Sequence, residues 1–233
     1  YDAATGTYTL KDGVPGRADS NVLPGSWKFA DTDGNGIVDD NDRTVIGNAN
    51  PDFYGGITNN FSYKGFDLSV FFAFSYGAEV LNATKLSNTK TGNQNKNVLE
   101  LASSSNRWMT VDADGNAITD PETLQAVNAG KTVAFISDQE QGDYFVHSWA
   151  VEDASYLRLS NLTLGYTFPR IWAQKMNLSK LRLYFTGSNL FVWTPYTGFD
   201  PEVSTKGSNL TPGVDFGAYP RNRSFVFGVN LTF

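Results

Sequence analysis

The chain has 233 residues, 40% of them hydrophobic and 14% aromatic, with a formal charge of −6. That length suffices for one sizeable domain, and the acidic balance offers no basic stripe to neutralise nucleic-acid phosphates. A mean hydropathy of −0.32 and the lack of any apolar run near ~18 residues exclude a transmembrane helix, but not strands that alternate apolar and polar residues.

The absence of cysteine removes any disulfide framework, thiol nucleophile or thiolate zinc site. The chain opens at Tyr1 without the charged and apolar stretches of a signal peptide, so for an exported protein a truncated or processed chain is expected.

In chain order, the first motif is Asp31-Thr32-Asp33-Gly34-Asn35-Gly36-Ile37-Val38-Asp39-Asp40-Asn41-Asp42. It fits the calcium-loop pattern D-x-[DN]-x-[DN]-G with a carboxylate at the twelfth position. Asp31, Asp33 and Asn35 offer hard oxygen ligands, Gly36 permits the sharp turn, Ile37 offers its carbonyl, and Asp39 contributes directly or through water. Asp42 stands where Glu is usual, and its shorter side chain is less suited to bidentate binding. Trp27 to Ala30 do not read as a helix, so no EF-hand pair is expected. A structural Ca2+ clip in the weak extracellular range is the expectation, and an ion-free Asp/Asn/Gly-rich turn is the alternative.

Next comes Phe53 to Tyr76, centred on Lys64-Gly65, where glycine supplies a positive φ for a two-residue turn. Pairing outward sets Tyr63 opposite Phe66, Phe61 opposite Leu68, Ile57 opposite Phe72 and Phe53 opposite Tyr76 on a largely apolar face. Ser62–Asp67, Asn60–Ser69, Thr58–Phe71 and Gly56–Ala73 fall on a smaller, more polar one. One register sorting both strands is what a half-buried antiparallel pair requires. Its reach, roughly eleven residues a side, matches membrane-crossing strands of about 9–11 residues rather than soluble ones of about 5–6.

Asp112 to Asn116 echoes the calcium loop without its later glycine and carboxylate, and reads as a plain turn. His147, the only histidine, lacks an evident nucleophile or orienting partner and reads as an incidental loop residue. No enzyme is expected.

Three further strands follow. From Ala154 to Phe168 the apolar parity switches between Leu157/Leu159 and Leu162/Leu164/Tyr166, which predicts a bulge near Ser160-Asn161 or an exit from the membrane. From Leu181 to Trp193 the odd positions are mostly apolar. From Arg223 to Phe233, Phe225, Phe227, Val229 and Leu231 share one face. The connections alternate short and long, as short periplasmic turns and long extracellular loops do in bacterial barrels. Tyr63, Phe66, Phe168, Trp172 and Phe233 would then form an aromatic girdle at the turn end. The long loops carry Trp108, Tyr144, Phe145, Trp149, Tyr196, Phe199 and Tyr219, expected mainly to pack and anchor those loops. The expected organisation is a loop region at residues 1–52 holding the acidic loop, then about five transmembrane strands at 53–233. The fold class is all-β: C-terminal strands of a large antiparallel transmembrane β-barrel with long extracellular loops. Five strands cannot close such a barrel, so the remainder must come from a longer chain.

Trp27 to Asp31, Asp42 to Gly47, Asn50 to Gly56, Lys64 to Leu68, Ala154 to Tyr166, Gly187 to Phe191 and Tyr219-Pro220-Arg221 together resemble the SusC/RagA proteins, the TonB-dependent transporters of Bacteroidetes. The loop from Leu81 to Phe145 does not. The resemblance implies the last quarter or so of a plugged barrel of ~22 strands in the cell outer membrane, importing oligosaccharides or peptides. It also implies a SusD-like surface lipoprotein as partner, TonB acting through an N-terminal region absent here, and a last strand resembling a barrel-assembly signal. A passive porin and a secreted calcium-dependent carbohydrate-binding sandwich are the alternatives.

Overall fold

The computed structural model describes residues 2, 4–18, 22–89, 97–134, 146–204 and 212–233. Their contacts form two compact units, Tyr1–Ile46 with Thr84–His147, and Gly47–Ala83 with Ser148–Phe233. The sequence alone places a single boundary after residue 52, because amino-acid patterning does not reveal that residues 84–147 pack with the first 46. Tyr144 and Phe145 lie outside the described residues.

In the first unit, β1 (Gly16–Arg17) and β2 (Ile37–Val38) pair in parallel, with Gly16 opposite Ile37. Gly16 N donates to Gly36 O at 3.1 Å and Ala18 N to Val38 O at 3.1 Å. Two short helices follow, α1 (Ala83–Asn88) and α2 (Pro121–Val127). Asp120 caps α2 by accepting from Thr123 N at 2.9 Å, and Pro121 at the first helical position supplies a pre-set φ. Buried Asn128 accepts from Met109 N at 2.6 Å and donates to Met109 O and Leu124 O, both at 2.8 Å. His147 is not a free loop side chain: its ring lies 4.7 Å from Trp27 and 5.6 Å from Phe29. Burial, then the charge of Lys85, pushes its pKa down to about 4.

The second unit is built on one five-stranded antiparallel sheet. Its strands are β3 (Phe53–Tyr63), β4 (Phe66–Tyr76), β7 (Tyr156–Thr167), β8 (Lys180–Trp193) and β10 (Ser224–Thr232), ordered β10-β8-β7-β4-β3. The first hairpin has the register read from sequence, Tyr63 opposite Phe66 through to Phe53 opposite Tyr76. Its turn places Lys64 at φ 45° and Gly65 at φ 90°, the positive angles that a type I′ turn needs to match strand twist.

The parity switch in β7 has a simple cause. Phe71 and Phe72 are adjacent in β4, but their partners Asn161 and Leu159 are two apart in β7, leaving Ser160 as an extra residue. One inserted residue exchanges the faces of everything beyond it. Opposite, β8 inserts two residues, since Leu159 pairs with Phe191 and Asn161 with Ser188. Two insertions restore the parity, so Leu183, Phe185, Phe191 and Trp193 stay on one face. Asn189, at φ 52°, absorbs the bend.

The connection from β7 to β8 contains α3 (Arg170–Lys175), which buries Ala173 and exposes Ile171 and Trp172. At the opposite end of the sheet, β5 (Glu79–Asn82) pairs antiparallel with β6 (Val151–Asp153) and parallel with β9 (Val214–Asp215). Val80, Ala154 and Tyr196 form a small buried cluster there.

Candidate functional site

Two arrangements carry chemistry, one in each unit. In the first, the acidic loop turns tightly upon itself. Asp31 accepts from Gly34 N at 2.7 Å, Asn35 N at 3.2 Å and Gly36 N at 2.7 Å. Asp42, 9% exposed, accepts from Thr32 N at 2.6 Å and Asp39 N at 2.8 Å. Those N–H groups, from Asp39 first and then Thr32, hold the Asp42 carboxyl below the usual carboxylate range.

Oxygens of Asp31, Asp33 and Asp42 lie within 4.8 Å of one another. Of the other expected ligands, Asn35 accepts from Ile37 N at 2.7 Å and donates to Asp33 at 3.1 Å. Asp39 turns to Asn41 N at 2.7 Å and closes a reciprocal cap with Asp42. The carbonyls of Gly36 and Val38 face β1, so strand alternation directs that of Ile37 to the other side. Three convergent carboxylates make an all-oxygen set of the kind a hard cation takes. At the second, weaker echo, Asp112 accepts from Asp114 N at 2.9 Å and Asn116 N at 2.8 Å, which makes it a closed turn.

In the second unit the two faces of the sheet differ. One gathers Phe53, Ile57, Phe61, Leu68, Phe72, Leu159, Leu164, Phe185, Phe227 and Leu231 in register. Most of it is open to its surroundings, with Phe61 61% and Phe227 79% exposed, while Leu159 beside the bulge is buried. The other face carries small and polar residues joined across strands, with Thr163 and Thr186 hydroxyls 3.0 Å apart. Arg182 forms an ion pair with Asp67 across the intervening β7, where Gly165 leaves room because a Cβ there would meet both side chains.

Toward the loop end, Arg158 occupies this polar face with 4% of its side chain exposed. Its Nη2 lies 2.6 Å from Asp200 and its Nε 2.8 Å from Glu202. Asp200 also accepts from Glu202 N at 3.0 Å and Arg221 N at 3.4 Å, tying together both limbs of the segment between β8 and β10. Tyr196 donates to Asp215 at 2.7 Å, and burial together with that carboxylate raises its phenol pKa strongly. Sequence reasoning missed this network. Its one signal was Arg158, the single charged residue of β7, at a polar-face position.

No protein-family model matches the chain. Over 215 residues, 90% of its length, it is 35% identical to TonB-dependent receptor P3 of Formosa agariphila and covers 19% of that protein. It is 32% identical over 216 residues to TonB-dependent receptor SusC of Bacteroides thetaiotaomicron, covering 92% of the chain and 18% of that protein. The chain belongs to the SusC/RagA-like TonB-dependent receptors. It spans about a fifth of the length of the curated relatives it matches. A solved structure of the RagAB peptide transporter, 26% identical, superposes with a TM-score of 0.58 over 79% of this receptor segment and 17% of that chain.

Proposed function

We propose that this receptor segment supplies membrane-crossing strands to an outer-membrane β-barrel, and that the intact receptor is a TonB-dependent nutrient importer. One observation carries the reading: five neighbouring strands of 11, 11, 12, 14 and 9 residues share a register that presents an exposed apolar face. Strands of about 9–11 residues cross a bilayer when tilted, and aqueous proteins rarely leave an apolar patch of this extent uncovered. A sandwich would bury that face, and a passive porin would have no need of the receptor family's other parts. Both edges, β3 and β10, need strand partners in lipid, which supports a larger closed barrel formed with the rest of the receptor.

The cargo is an oligosaccharide or a peptide, taken up with a SusD-like lipoprotein and with energy from TonB. The relatives named for SusC and RagAB support this, and receptor and transporter names among them favour transport over an enzymatic role. The acidic loop acts as a structural Ca2+ clip held by Asp31, Asp33 and Asp42, completed by Asn35, Ile37 and Asp39.

The test is extraction. The intact receptor should leave the outer-membrane fraction only with detergent and migrate faster on SDS gels unheated than boiled. Release by high salt or carbonate alone, without heat-modifiable migration, overturns the reading.

A further inference from the structure

The turn end of the sheet is charged unlike the rest of the chain. The hairpin turn, the β7–β8 connection and the start of β8 carry Lys64, Arg170, Lys175, Lys180 and Arg182, against the single carboxylate Asp67. The whole chain, by contrast, has a formal charge of −6. Asp67 is already occupied by Arg182. Lys64, Arg170, Lys175 and Lys180 are all exposed, and none of the four makes an ion pair among the described residues.

Backbone contacts place these cations at one end. Thr167 pairs with Arg182, Thr167 N donates to Gly65 O at 2.7 Å, and Thr232 pairs with Lys180. Beside them an aromatic chain runs Phe66–Tyr166–Phe168–Trp172, with ring centroids 4.5, 4.9 and 6.1 Å apart. Tyr63, Trp172 and Phe233 are 69%, 57% and 89% exposed. In α3, exposed Ile171 and Trp172 lie between Arg170 and Lys175.

We infer that this end is a docking surface for anionic phospholipid headgroups in the leaflet it meets. Charge complementarity carries the assignment. Aromatic and aliphatic groups lie at the level where acyl chains begin, and flexible cationic side chains one layer outward can reach phosphate oxygens. The Lys64 Nζ, 5.2 Å from the Tyr63 ring centroid, shows the pairing of the two layers at one residue step. The inference rests on the membrane reading proposed above.

The test uses the intact receptor and its K64Q/R170Q/K175Q/K180Q variant, reconstituted in vesicles of phosphatidylcholine with or without phosphatidylglycerol. Co-purified lipid is then counted by native mass spectrometry. The wild type should retain phosphatidylglycerol over phosphatidylcholine, and the variant should lose roughly tenfold or more of that preference, since each cation near an anionic surface contributes severalfold. A milder K64Q/K180Q variant, altering no residue of α3, should lose part of the preference. Equal retention of both lipids by the wild type, or an unchanged preference in the variants, overturns the inference. So does retention at this end of an acidic periplasmic protein instead of lipid. Failure of the wild type to float with pure phosphatidylcholine vesicles would instead sink the membrane reading.

Discussion

Arg158 and Asp200 have 4% and 5% of their side chains exposed, and each is the other's principal compensation. Arg158→Met leaves Asp200 buried without a cation and should destabilise by about 3–5 kcal/mol, whereas Asp200→Leu leaves Arg158 its Glu202 contact and should cost less. Urea unfolding of the intact receptor from detergent micelles checks this, and a loss below about 1 kcal/mol would show the pair to be wetter than it looks. Gly165→Ala should separate Asp67 from Arg182, because the added methyl meets both side chains, at a cost of about 1–3 kcal/mol. His147 titrates in the opposite sense from a paired histidine. Its folded pKa of about 4 lies below an unfolded value near 6.5, so its contribution is complete above pH 6.5 and is lost as pH falls toward 4. A difference on the order of 2–3 kcal/mol between pH 7 and pH 4 follows. Tryptophan fluorescence through a urea titration should report it, and His147→Phe should flatten the slope between pH 7 and pH 5, leaving the more acidic part that carboxylates such as Asp42 contribute. Little in the sequence marks these residues. Arg158 and Asp200 are 42 positions apart, and nothing in local patterning selects one acid from many.

At the scale of elements, far more was readable. A two-residue turn fixes register, so Lys64-Gly65 was enough to derive every pair of the first hairpin. The interrupted parity of β7 likewise pointed to a bulge near Ser160-Asn161 or an exit from the membrane, and the register decides for a bulge with Ser160 as the extra residue. The short β5, β6 and β9 strands were invisible because two to four residues hold no period, and β5–β9 pairing joins distant parts of the chain. The helix α3 was missed inside a connection read only as short. The lipid-facing reading predicts a depth profile. Ile57, in register with Phe72, Leu159 and Phe191, lies mid-sheet, whereas Tyr63 is at the turn. Ile57→Arg should cost about 2–4 kcal/mol and Tyr63→Arg about 0–1 kcal/mol. Equal costs in reversible unfolding would mean that the sheet does not span a bilayer.

For the whole molecule, the sequence supplied class and family, while the interleaving of two compact units came only from contacts between residues 1–46 and 84–147. The acidic loop was legible as a motif because calcium-type ligands recur at fixed spacing. Which carboxylates converge, Asp31, Asp33 and Asp42, needed the folded backbone. Calorimetric titration of the intact receptor should give a Ca2+ dissociation constant of about 10⁻⁴–10⁻³ M, lost in Asp31→Asn. One face of the sheet is proposed to meet lipid, and β10 reads this out directly. The chain has no cysteine, so nitroxide labels on single introduced cysteines along β10, in an otherwise cysteine-free receptor, would test it residue by residue. In vesicles, labels at Phe225, Phe227, Val229 and Leu231 should be relaxed by oxygen, and those at Ser224, Val226 and Asn230 by a water-soluble nickel chelate. Loss of that two-residue alternation, or its reversal, would mean that this face of the sheet does not meet lipid.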